Sequence, residues 1–474
     1  MPIDRRRFLK TAGGGAAAVL LAPRLGKAHG NGPYPTARID MDMAPIKEPR
    51  LPDLIGNRFV TFNSVIRVNQ IEVRRDRNEG VDEAAVHTPE TVRALRSAFA
   101  AGFPGGRMTW ALSWLALQDA RPNYREIRRM VKGFHEEYGD EVTFIPGGYF
   151  APMYNTRAEV DRDLHDALEM VSTIVGGRYR PRSVLAGFLA AENLAWLAEK
   201  EGIHVCQGNI WSQYAIDNGD GDGSISYPYY PSRQHFLAPA RTAGDLIDCV
   251  NLDGWTCDFL AARRAGFAEG FNSRMGVGPI ETIRNLGPEK GLAEMRHTTA
   301  VHFDAGFALN KFAWVTNCWE VCLVKEFGGL ECLTQWLAGI RARWPETLCP
   351  TQGEFGLAWR KHFTDNSKVD YRFVETGSGI AGSDAGREIR WFMNADFRLA
   401  LLRTIGKPET EEVIDFTRYD LGAREPGEMG RNWSLMNRIN QKGTRLQDAP
   451  AALEALPAED KAFIARRLPE LSEK

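Results

Sequence analysis

An excess of charge of either sign is missing: 59 lysines and arginines stand against 61 aspartates and glutamates, a formal net charge of -2 at pH 7. The basic residues are scattered, so neither nucleic acid nor an anionic membrane surface is an expected partner. Long apolar runs are missing too. Beyond the N-terminus no segment approaches the ~20 apolar residues of a spanning helix, so no membrane is expected once the leader is removed. The seven cysteines, at 206, 249, 257, 318, 322, 332 and 349, contain no CxxC pair and fall mostly in apolar runs such as "LIDCVNL". Buried thiols are the expectation, with one or two disulfides left open in an oxidising compartment. The nine histidines show no ligand spacing, since His297 and His302 are five apart and His87 and His235 stand alone. No strand of the alternating region described below is followed by a GxGxxG turn or a GxxxxGK[ST] loop, no GxSxG elbow occurs, and no haem, flavin or cluster motif is visible. No metal or organic cofactor is expected.

What is present starts at the leader. "DRRRFLKTAGGGAAAVLLAPRLGKA" runs from consecutive arginines through a weakly apolar stretch to small residues. It resembles a twin-arginine export signal, which makes the export machinery a partner and places the mature chain in the periplasm or outside the cell. The signal occupies 1–30, and a Pro-rich aperiodic linker follows over 31–57.

A strand-helix alternation then begins. "RFVTFNSV", "RMTWALSW", "EVTFIPGG", "RSVLAGF", "IHVCQGN", "LIDCVNLDG" and "KFAWVTN" are seven candidate strands without clean alternation, as parallel strands buried on both faces should be. Between them lie helices with readable starts: Thr88 before Pro89, and a capping box of Thr156 and Glu159. The expected fold is α/β, a (β/α)7-type barrel over 58–350. A small β-rich C-terminal domain over 351–446 and an amphipathic tail helix over 447–474, docked on its own protein, complete the chain.

The order "VTFNSV", a Thr-Pro-Glu helix start, "EVTFIPGGY", "RYRPRSVLAGF" and "ENLAWLAEKEGIHVCQGNIWSQYAIDN" is similar to the barrel of polysaccharide deacetylases and related glycoside hydrolases. The whole chain also resembles a bacterial family built from such a barrel and a short C-terminal domain. The resemblance implies a carbohydrate ligand or substrate. It does not carry the deacetylase machinery. Where those enzymes have two aspartates after Thr-Phe, this chain has Asn63 and Ser64; "IPGGYFAPMYNT" has no histidine pair; and Glu320 stands where a histidine acts as acid. An amide and a hydroxyl cannot replace carboxylates as zinc ligands or as a base.

Barrels keep their chemistry at the C-terminal ends of their strands. Acids there are Glu72, Asp76, Glu192, Asp217, Asp253 and Glu320. The catalytic candidates are Glu320 as acid/base with Asp253 as partner, then Glu192 and Asp217, paired carboxylates being what glycoside cleavage requires. Between Asn209 and Phe236 lies an aromatic-rich loop, "IDNGDGDGSISYPYYPSR" at its centre. Trp211, Tyr214, Tyr229 and Tyr230 offer faces to sugar rings, while Arg233 and Asn63 offer hydrogen bonds, so these six are the candidate substrate contacts. Asp220 and Asp222 match the start of a calcium loop, but Tyr229 stands where a bidentate glutamate belongs. Two functions follow: an exported carbohydrate-active hydrolase, or a non-catalytic glycan-binding protein on a barrel that has lost its metal and catalytic residues.

Overall fold

The structure is a computed structural model and describes residues 51–74, 77–149, 151–187, 189–209, 223–253, 258–261, 278–380, 382–427, 433, 435 and 450–471. Within 52–474, one compact unit, all seven expected barrel strands form. They are β1 (Arg58–Ile66), β4 (Thr109–Ser113), β5 (Glu141–Ile145), β6 (Val184–Leu185), β7 (Val205–Asn209), β8 (Val250–Asp253) and β9 (Ala313–Glu320), with a hairpin of β2 (Asn69–Arg74) and β3 (Arg77–Asp82) inserted after β1. The parallel pairs join in two arcs, β5-β4-β1-β9 and β6-β7-β8. The helix starts follow the sequence: the Thr88 side chain accepts from the Thr91 amide ahead of Pro89–Gly102, and the Thr156/Glu159 capping box opens Arg157–Val175.

The arcs are closed by other parts of the chain. Between β8 and β9 the segment 224–231 runs antiparallel to β8, with Tyr229 and Asn251 exchanging both backbone hydrogen bonds at 3.2 and 2.8 Å. On its other side the Tyr227 hydroxyl accepts from the Trp314 amide and donates to the Trp314 carbonyl at 2.9 Å. A side chain thus does for β9 what a neighbouring strand would do. Ser226 adopts a left-handed φ of 63°, the local cost of turning the chain into this slot.

The barrel floor is closed by the helix Gln352–His362, which the sequence reading grouped with the C-terminal part. Its start is capped by Thr351 and Glu354, and the Gly353 amide donates to buried Glu141 at 3.0 Å. A Cβ at Gly356 would meet Val205 Cγ1 at 2.3 Å, so only glycine admits this approach. Phe355 stacks on Trp314 with centroids 4.8 Å apart.

Next come β10 (Asp370–Thr376), β11 (Arg387–Asn394), β12 (Phe397–Thr404) and β13 (Lys407–Arg418), an antiparallel meander. One face adds Tyr371, Phe373, Ile389 and Trp391 to the main core. The other buries Phe397, Leu399 and Phe416 against Phe463 and Ile464 of the tail helix Ala458–Arg467, so that helix is docked on its own sheet. The turn Gly377-Ser378-Gly379-Ile380-Ala381-Gly382 spells GxGxxG but joins two antiparallel strands, with no helix N-terminus to receive a phosphate.

Candidate active site

Glu320 ends β9 and is followed at once by the helix Val321–Phe327, whose first amides it does not cap. Its carboxylate turns to Arg67, the residue just after β1, with Arg67 Nη2 donating to Oε2 at 2.7 Å. The same guanidinium forks onto Glu83, Nε to Oε2 at 2.7 Å and Nη2 to Oε1 at 3.0 Å. Arg67 and Glu320 are both buried, and charge-assisted bonds in a dry setting hold them tightly. The His87 Nδ1 lies 3.0 Å from the Glu83 carbonyl and its Nε2 accepts from the Arg67 amide at 3.3 Å. Burial lowers the His87 pKa, Glu83 opposing it, and both bonds suit the neutral ring with its proton on Nδ1. Cys322 Sγ is 3.7 Å from both Arg67 Nη2 and Glu320 Oε2.

Two carboxylates, one guanidinium, one neutral imidazole and one thiol therefore meet where β1 and β9 end. Of these the sequence reading had named Glu320 as a site. Glu83 and His87 are four apart ahead of the first large helix, which is a spacing to search for; nothing local points to Arg67 or Cys322. Ligand atoms of Glu83, His87 and Cys322 lie within 4.8 Å of one another. They fit a metal poorly, because Arg67 already neutralises Glu83 and its amide occupies His87 Nε2. The donor set of the deacetylases is not reproduced either: Asn63 Nδ2 donates to Gln207 Oε1 at 2.7 Å on the barrel axis, and the Ser64 hydroxyl donates to the Trp319 carbonyl at 2.8 Å.

Asp253 ends β8 and is fully buried. Its Oδ2 accepts from the Ser224 hydroxyl. Tyr229 and Tyr419 are close enough to feel its charge. Arg398 Nη1 donates to the Ser224 carbonyl at 2.8 Å while Nη2 pairs with Asp415 at 2.6 Å, so the strand end rests on the C-terminal sheet. Glu320 and Asp253 thus sit at the C-terminal ends of neighbouring barrel positions, each held by its own partners.

The other candidates fall elsewhere. Glu192 is exposed in the first turn of the helix Ala191–Glu199, 3.9 Å from Arg157. Glu72 is buried and caps the helix Trp114–Gln118, its Oε2 accepting from Leu115 N at 3.0 Å and its Oε1 from Ser113 Oγ at 2.6 Å. Asp76, Trp211, Tyr214, Asp217, Asp220 and Asp222 lie outside the described residues. The tyrosine platform needs correction. Tyr229 is 0% exposed, its hydroxyl donating to the Phe236 carbonyl and accepting from Asn251, both at 2.7 Å. Tyr230 is 1% exposed, bonded to the Phe363 carbonyl at 2.7 Å. Arg233 pairs with Glu199 at 2.7 Å, at the end of a helix that runs from the mouth to the floor. This stretch is the barrel's seam, and Asn63 is part of its interior.

Residues 52–393 match the family described as Domain of Unknown Function with solved-structure structure (DUF3863), and 398–471 match DUF3864. Residues 2–22 match the twin-arginine translocation signal, so the chain is exported by that pathway. A crystal structure from Parabacteroides distasonis, provisionally described as a glycoside hydrolase/deacetylase, is 50% identical. It covers 88% of this chain and 99% of that one with a TM-score of 0.82. A polysaccharide deacetylase, so described with reserve, from Pseudomonas aeruginosa PAO1 is 12% identical over 64% of this chain and 91% of its own, TM-score 0.39. A GH57-type branching enzyme from Pyrococcus horikoshii is 12% identical over 68% and 73%, TM-score 0.38. The last two are too distant to assign any residue a role. No curated protein matches the chain.

Proposed function

Because the chain belongs to the DUF3863 family, we propose that it is an exported carbohydrate-active hydrolase whose chemistry lies at the C-terminal mouth of the barrel. The observation that carries this reading is the set of buried Glu320, Arg67 and His87 with partly buried Glu83 at the ends of β9 and β1, where barrels keep their reacting groups. The 50% identical relative, described as a glycoside hydrolase/deacetylase, supports the substrate class. In this reading Glu320, paired with Arg67, is the base or nucleophile. Asp253, which ends the strand β8 and accepts from the Ser224 hydroxyl, is assigned the proton for the leaving group. Two carboxyls in unlike surroundings are the arrangement that divides acid from base.

A second reading has an observation of its own. Glu320, Glu192 and Glu72 are engaged in ion pairs or a cap, as expected if the barrel binds glycan without cutting it. The experiment is incubation of the chain with a pooled panel of acetylated and unmodified glycans, read by mass spectrometry, beside Glu320→Gln. Shortened or deacylated products that fall at least ~100-fold in the variant establish the hydrolase. An untouched pool with retained glycans leaves the binding reading.

A further inference from the structure

Arg67 stands one residue beyond the last register pair of β1 with β4, Ile66 with Leu112, and its backbone leans on side chains. Its amide donates to His87 Nε2 at 3.3 Å, and its carbonyl accepts from the Tyr124 hydroxyl at 2.7 Å. Both partners are fully buried. Tyr124 is the first buried residue of the helix Pro122–Tyr138, whose buried face continues with Ile127 and Val131. A phenylalanine would serve that face as well; the hydroxyl is what reaches the strand end. The His87 and Tyr124 rings face each other, centroids 6.3 Å and planes 28° apart. Asn123 Nδ2 donates to the Ala84 and His87 carbonyls, both at 3.0 Å, and so ties the helix start to the loop that carries Glu83 and His87.

This frame matters because the guanidinium is shared. Nε and Nη2 fork onto Glu83, and the same Nη2 reaches Glu320 Oε2 at 2.7 Å. Glu83 is the more exposed of the two carboxylates, 13% against 2% for the side chains, and a fork on it alone would let the guanidinium follow it away from Glu320. A small rotation at the Arg67 Cα is multiplied along the stem of the side chain. Holding the amide on one side of that Cα and the carbonyl on the other therefore sets where the head lies. We propose that Tyr124, together with His87, is a positioning residue of the mouth: the two clamp the Arg67 backbone and so keep its guanidinium on Glu320 as well as on Glu83. The inference deepens the hydrolase reading and rests on it, since Glu320 is the reacting carboxylate there.

The test compares the full chain with Tyr124→Phe and with a control, Tyr179→Phe. The control also removes a hydroxyl bonded to backbone, here to the Val142 amide and carbonyl at 2.7 Å each, near the start of β5 and beside the floor. Crystal structures of Tyr124→Phe should show Arg67 Nη2 withdrawn from Glu320 Oε2 beyond about 3.5 Å with the fork to Glu83 kept. Tyr179→Phe should keep the 2.7 Å contact. On one glycan that the wild type processes, drawn from the pooled panel, Tyr124→Phe should lower kcat about 10- to 100-fold with KM within about twofold, because the change reaches the reacting carboxylate and not the bound substrate. Tyr179→Phe should keep both constants. A guanidinium that stays on Glu320 in Tyr124→Phe overturns the inference, whatever the glycans do. So does a guanidinium that moves while kcat holds, and so does an equal loss of kcat in Tyr179→Phe, which would mark a general loss of stability. A wild type that processes no glycan, with the guanidinium displaced in Tyr124→Phe, sinks the hydrolase reading and leaves the clamp standing.

Discussion

Arg67 decides what the mouth can be. One guanidinium holds two buried or nearly buried carboxylates, Glu83 and Glu320, at 2.7 Å each. Removing it while leaving them charged exposes the desolvation cost that the pair had offset. Arg67→Met should therefore destabilise the fold by about 3–5 kcal/mol, measured by urea denaturation at pH 7 with the slope unchanged. A loss below about 1 kcal/mol would show the pair to be solvated and the site open. At this scale the sequence was legible where position in a strand suffices. The strand-end positions of Glu320 and Asp253 were readable because both follow apolar runs. Arg67, 253 residues away from Glu320, was not, because the reach of a side chain across β1 and β9 is a property of the closed barrel and leaves no local trace.

Among the elements, the seam 224–231 is the one whose role changed most. Aromatic density marks a sugar platform and a packed core alike, because both need large flat faces, and only burial separates them. Tyr227 illustrates the difference: it meets Trp314, Tyr371 and Phe373 with centroids 5.7, 5.0 and 5.0 Å away. Its hydroxyl also serves the edge of β9. Tyr227→Phe keeps the ring and removes that hydroxyl, leaving the Trp314 amide without this partner inside the core. The expected cost is about 1–3 kcal/mol, seen as a lower midpoint in thermal or urea melts. An unchanged midpoint would mean that the seam is not sealed by this contact. The seven strands themselves were legible because parallel strands buried on both faces read as short apolar runs. The floor helix was not assigned to the barrel, since its boundary lies after the alternation ends and its fit depends on the missing side chains of Gly353 and Gly356.

On the scale of the molecule, buried groups set opposite limbs of the stability-pH profile. His302 is fully buried and held down to about 3 by desolvation, against 6.5 when free. The unfolded chain therefore binds its proton first, and stability falls as pH drops from about 6.5 toward 3. Glu294 acts in the other direction. Its folded value of about 9, against an unfolded 4.5, means that the folded chain holds the proton that the unfolded chain has released. This contribution is fully present below pH 4.5 and is lost as pH rises toward 9. Glu294→Gln removes that term alone. The wild type should lose stability relative to Glu294→Gln across pH 5 to 9, by several kcal/mol in order of magnitude, as followed by melts at matched pH. Parallel profiles would show that Glu294 is not held protonated.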